Sequence, residues 1–166
     1  QPEEVTIAPS VTYEGEEYTV TEIGAGSFYS IESVKKINLP ETIKKIGEMA
    51  FYQSGIKTMV IPNSVDTIQQ LAFGFCINLK YCKLSENMTV FPPGLFWDCI
   101  SLESIEIPNS VTRFVEENPI PTEEDWGFFD DPYFSVTPGL SFFGCENLKQ
   151  VFLPKKLTNI PQSTFQ

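Results

Sequence analysis

Seven carboxylates crowd one stretch of this chain: Glu116, Glu117, Glu123, Glu124, Asp125, Asp130 and Asp131, with no basic residue among them. Carboxylate oxygens in such number are ligands for a hard cation such as Ca²⁺, and two of them suitably separated can hydrolyse a glycoside. The D-x-[DN]-x-[DN]-G spacing of a calcium loop is missing, so a solvated acidic loop is the better reading and no metal is expected. The same stretch carries Trp126, Phe128, Phe129, Tyr133 and Phe134. These aromatics argue against plain disorder. They suit docking of a partner, stacking on sugars, or folding back over the domain.

The remaining chemistry is sparse. The chain has no histidine, which removes the commonest general base and zinc ligand. Its four cysteines form no C-x-x-C pair, so redox and zinc motifs are unsupported. Asn87-Met88-Thr89 is a glycosylation sequon, a match that often occurs by chance. With a net charge of −11, the chain is repelled by phosphate backbones and anionic lipid heads. Nucleic acid and membrane surfaces are therefore disfavoured partners. The densest basic grouping, Lys35-Lys36 with Lys44-Lys45, reads as a solvated edge. No apolar run approaches the ~18 residues of a membrane span.

What positions these residues is a repeat. "IPNSV" occurs at 61–65 and again at 107–111. Written from Val20, the chain falls into rows of 23: 20–42, 43–64 (one residue short), 65–87 and 88–110. A fifth row opens at 111–114, breaks, and resumes at 140–156; a sixth begins at 157. Six columns are apolar almost throughout. Column nine is phenylalanine in every row: Phe28, Phe51, Phe73, Phe96, Phe142 and Phe165. Column four holds Ile23, Ile46, Ile68, Phe91, Phe114 and Ile160. Columns one, fifteen, eighteen and twenty behave alike, as in Val65, Leu79, Cys82 and Leu84.

One such row cannot bury its apolar side chains alone. Stacked rows bury each column against its own copy, which is the physics of a solenoid. The period-two end of each row predicts a short strand with columns eighteen and twenty inward. Proline ends it in four rows, at Pro40, Pro62, Pro108 and Pro154. The "IGxxAF" segment predicts a single helical turn behind the strand. Cys76, Cys99 and Cys145 share column twelve, where a ladder of buried thiols is preferred over a disulfide.

Rows such as "VTEIGAGSF", "IKKIGEMAF", "LAFGFCINLKYCKL" and "CISLESIEIPNSV" resemble the BspA-like leucine-rich repeats of bacterial surface proteins. The likeness covers about 20–114 and 140–166. It implies an α/β repeat fold: a right-handed solenoid with short parallel strands on its concave face and single helical turns or loops behind. It also implies a secreted or cell-surface location and a noncatalytic role in adhesion or protein binding. An extracellular protein or glycan would be the partner, and no cofactor is called for. A structural spacer, a glycan-binding module and, more remotely, a hydrolase built on the acidic stretch are the alternatives.

In that family the outward strand positions form the usual binding surface. Here, if the strand reading holds, they are columns seventeen and nineteen: Lys36 and Asn38, Thr58 and Val60, Tyr81 and Lys83, Ser104 and Glu106, Gln150 and Phe152. Val60, Tyr81 and Phe152 are unusual for purely solvated positions. Residues 1–19 are expected to cap the array with a strand and a β-hairpin turning at Glu14-Gly15. Residues 115–139 read as a loop inserted in row five, because as a row they would place Pro119 in column nine and Asp125 in column fifteen. The insertion is expected to border the concave face, with Trp126, Phe128, Phe129 and Tyr133 as binding candidates. Gln1 at the start and a half-built sixth row fit a piece of a longer chain.

Overall fold

The computed structural model describes residues 3–115, 140–161, 164 and 165. Within them the strands run in two ladders, one on each side of the proline turn. The first ladder is the predicted one. It orders β1 (Glu4–Thr6), β5 (Lys36–Asn38), β7 (Thr58–Val60) and β9 (Tyr81–Lys83) as a parallel sheet. The strand β11 (Ser104–Glu106) lies alongside β9 and pairs in parallel with β13 (Gln150–Phe152). The second ladder uses columns three and four: β4 (Glu22–Ile23), β6 (Lys45–Ile46) and β8 (Thr67–Ile68), then β10 (Val90–Phe91) with β12 (Arg113–Phe114). The one antiparallel pair is the hairpin of β2 (Ser10–Tyr13) and β3 (Glu16–Thr19).

The link between the ladders explains "IPNSV". The column-twenty N–H still donates to the next row, as Ile61 does to the Lys83 carbonyl at 2.9 Å. Proline then supplies no donor, and its carbonyl accepts the column-one N–H in a tight turn, Val65 to Pro62 at 3.1 Å and Val111 to Pro108 at 3.0 Å. The asparagine serves the neighbouring row: Asn63 Oδ1 accepts from the Glu86 N–H and Asn109 Oδ1 from the Lys155 N–H.

Behind the strands the expected helical turn is absent; no helix occurs among the described residues. The backbone instead makes a run of overlapping β-turns. Columns seven and eleven are left-handed in row after row, with φ between 51° at Met49 and 70° at Gly144. A left-handed residue every four positions breaks a right-handed helix. Hydrogen bonding alternates accordingly. The N–H groups of columns ten and twelve close turns within their own row, as Tyr52 does to Met49 and Ser54 to Phe51. The column-nine N–H reaches the next row, Phe28 to Ala50, Phe51 to Ala72 and Phe73 to Leu95. Buried backbone groups are thereby satisfied without a helix.

The core is the stack of columns. Phe51, Phe73 and Phe96 are wholly buried, with ring centroids 5.1 Å apart for Phe51–Phe73 and 5.8 Å for Phe73–Phe96. Burial fails toward the last rows: Leu153, Ile160 and Phe165 were expected as core and are exposed, each column there being covered from one side. At the other end Val5 and Ile7 of the first strand segment cover the first row, while the hairpin stands off the body.

A second apolar layer runs along the back, outside the main core. Tyr29, Tyr52, Phe75, Trp97 and Phe143 pack ring against ring with centroids 5.4, 5.2, 6.1 and 5.8 Å apart, the first pair stacked, the next two tilted and the last edge-on. Met49 and Leu71 pack against it from left-handed positions. Gly94 occupies the same column, where a Cβ would sit 2.6 Å from Leu71 Cδ2. The short second row has its own device. Gly55 comes so close to row one that a Cβ would lie on the Glu32 carbonyl, and the row thereby loses a residue without opening a gap.

Candidate binding face

The strands put columns seventeen and nineteen outward, as the alternation requires. The register is direct: Lys36 with Thr58, Thr58 with Tyr81, Val60 with Lys83, Ser104 with Gln150, Glu106 with Phe152. All ten candidates lie on this face; nine are exposed and Asn38 is half-buried. The three apolar ones are far from covered, Val60 at 56%, Tyr81 at 50% and Phe152 at 55%. Val60 and Tyr81 sit diagonally on paired strands, the separation at which a large ring still reaches its neighbour. Phe152 lies apart, beyond the Ser104–Glu106 strand.

Two positions on this face were missed in the sequence. The strand β1 adds Glu4 opposite Lys36 and Thr6 opposite Asn38. The Lys36 ammonium donates to Glu4 Oε1 at 2.8 Å, and Asn38 Nδ2 donates to the same oxygen at 2.8 Å and to Thr6 Oγ1 at 3.1 Å. The hydrogen bond from Lys36, then that from Asn38, hold the Glu4 carboxyl below its ordinary range. The signal was the Val5-x-Ile7 spacing, which repeats Ile37-x-Leu39. Next to this network a shallow open depression is lined by Lys36, Asn38, Thr58, Val60 and Pro62.

A lysine column flanks the strands. Column sixteen runs Lys35, Lys57, Lys80, Glu103, Lys149 along the ladder, with the Lys80 N–H donating to the Lys57 carbonyl at 2.9 Å. Lys35 turns onto the Glu32 carbonyl and Lys149 pairs with Glu103 at 3.0 Å. Grouping basic residues along the chain, rather than down the columns, hides this stripe.

The cysteines are not chemistry on this face. All four are separate thiols turned into the body. Cys76, Cys99 and Cys145 donate to the column-nine carbonyls of the row before, Phe51, Phe73 and Phe96, at 3.0, 3.1 and 3.0 Å. Burial pushes the Cys76 and Cys145 thiols up to about 12, so neither supplies a thiolate near neutral pH. Among the described residues no group of three His, Cys, Asp or Glu could hold a metal.

The acidic stretch and its candidates Trp126, Phe128, Phe129 and Tyr133 lie outside the described residues. Its flanks are informative. Val115 and Leu140 occupy columns five and seven of one row, whose strand β13 pairs directly with β11. That attachment follows the second ladder, across the proline turn from the binding face.

Two parallel ladders joined by repeating turns, with one outward strand face, define a leucine-rich-repeat solenoid. A family pattern described as BspA type leucine rich repeat region, in six copies, matches residues 10–118 and 136–166. The chain belongs to that family. It is similar in fold to a Bacteroides ovatus leucine-rich repeat protein at 22% identity, covering 93% of this chain and 46% of that one, with a TM-score of 0.64. For a T. pallidum leucine-rich repeat protein the values are 23%, 92%, 71% and 0.66. For the pneumococcal vaccine antigen PcpA they are 21%, 68%, 36% and 0.51. The chain thus spans about half the length of the first of these relatives. No curated protein gives a match.

Proposed function

We propose that the chain is a noncatalytic, extracellular or surface-displayed binding module whose strand face engages a protein. The observation that carries this is the exposure of Val60, Tyr81 and Phe152 on a face otherwise built of polar side chains. Large apolar groups held outward by a rigid ladder resemble the anchors of a protein interface more than they resemble solvated surface. The family supports the surface location, and the absence of histidine from the whole chain supports a noncatalytic role. The insertion, with Trp126, Phe128, Phe129 and Tyr133, would add a second contact region.

The test is binding of the intact chain to arrays of extracellular proteins and glycans, with Tyr81→Ala/Phe152→Ala beside it. The double variant is expected to lose at least about tenfold in affinity for any protein hit. Undiminished binding would remove the strand face from the proposal. Loss on deleting 116–139 alone would move the function to the insertion.

A further inference from the structure

We propose that rows two and three of the strand face receive the β2–β3 hairpin of a second copy of this chain. The receiving surface is the part of the face where positive charge is left over. Lys57 and Lys80 flank the strands next to Thr58 and Tyr81, and Lys83 lies opposite Val60. Among the described residues none of the three is in an ion pair, the next carboxylates in their columns being Glu103 beyond Lys80 and Glu106 beyond Lys83. An apolar centre flanked by ammonium groups outside any ion pair fits a partner with the opposite flank: carboxylates beside aromatic side chains.

The hairpin has that composition. Its register pairs Val11 with Tyr18 and Tyr13 with Glu16, so these four share one face. Val11 is 51%, Tyr13 64% and Tyr18 53% exposed. Glu14, left-handed at φ 52°, and Gly15 form the tip, and the ribbon carries Glu14, Glu16 and Glu17 with no cation. Glu17 faces the other way and accepts from Ser10 Oγ at 2.7 Å. Among the described residues both strands pair only with each other. A two-stranded ribbon with an uncovered apolar face is marginal in water, and its exposure shows that it is not seated on its own body. Seated on another copy, the tyrosines would cover Val60 and Tyr81 while Glu14 and Glu16 meet the lysines. An acidic aromatic segment of a different protein, or residues 116–139 of this chain, has the same chemistry, and insensitivity of association to E14K/E16K would point to one of those; among the described residues the hairpin is the one such segment.

This rests on the strand face being a binding surface, as proposed above, and its test is separable from that of the function. Sedimentation of the full chain at low salt is expected to show association between about 1 µM and 1 mM, weakened by added salt. K57E/K80E/K83E alone, and E14K/E16K alone, are each expected to weaken it at least about tenfold. Mixing the two variants restores association, because each hairpin then finds a face of opposite charge. Both variants keep a net negative charge, three reversals lowering −11 and two raising it without crossing zero, so overall attraction cannot account for the rescue. Tyr13→Ser/Tyr18→Ser, which changes no charge, should weaken association as well. A wild-type chain that stays monomeric through about 1 mM, association indifferent to both reversals, or failure of the mixed pair to recover would each overturn the proposal. If array binding persists in that case, the face binds other partners and only the self-docking is lost.

Discussion

Column nine and the outward strand columns have the same spacing and climb the same rows, yet they behave oppositely. Column nine admits one side chain, phenylalanine, in all six rows. Columns seventeen and nineteen hold lysine, threonine, tyrosine, serine, glutamine, asparagine, valine, glutamate and phenylalanine. The column-nine rings from Phe51 to Phe142 are each packed between their own copies, so a change propagates to both neighbours. An outward side chain touches solvent on one side and is free to differ. Regularity therefore marks the scaffold, and irregularity on a regular frame marks the surface available for recognition.

Substitutions in the two regions should separate sharply. Phe73→Ala removes a ring stacked on Phe51 and Phe96 and is expected to cost about 3–5 kcal/mol in denaturant unfolding. A loss near 1 kcal/mol would mean that the rows collapse onto the gap and that the column is less exacting than its uniformity suggests. Gly55→Ala forces backbone against backbone at the short row and should cost about 1–3 kcal/mol.

The thiol column adds a pH dependence. An unfolded thiol ionises near its ordinary value of 9.0, whereas burial holds folded Cys76 at about 12. The unfolded chain thus binds fewer protons between those values. The contribution is complete below pH 9, falls across the window and is gone above pH 12. Inside the window each such thiol should lower stability by about 1.4 kcal/mol per pH unit. Cys76→Ala should flatten the profile by that slope, and an unchanged slope would mean that the thiol titrates without unfolding. At the small end, Tyr81→Ala and Phe152→Ala should each shift stability by under about 0.5 kcal/mol, although both are large apolar residues. A shift above 2 kcal/mol would make them part of the scaffold and erase the contrast.

The inward columns, the strand and its proline stop were legible because burial imposes a period on residue type. The helical turn was misjudged because "IGxxAF" spacing fits a helix as well as it fits overlapping turns. The deciding left-handed residues, Met49, Gln53, Leu71 and Phe75 among them, are types that rarely adopt that conformation. The ten outward candidates followed from the strand alternation. Lys57 and Lys80 did not, since they are distant in sequence and meet only across the ladder. The aromatic layer on the back escaped for a related reason: row three places Gly74 where its neighbours have a ring and shifts the ring to Phe75, so no single column displays the stack.

The turn run behind the strands, where column-nine N–H groups reach forward while column-ten and column-twelve groups close within the row, has a mechanical consequence. Among the described residues, rows one to three, and rows four and five, are joined by parallel strand pairs at both ladders, while every row is tied to the next by backbone bonds at the back. Tension applied between the ends would peel rows in order instead of shearing the whole body at once. Each peeled row would release about 80 Å of chain, 23 residues at roughly 3.5 Å each. Such a body yields to drag in steps and can re-wind a row when the load drops, with the rows still stacked serving as its template.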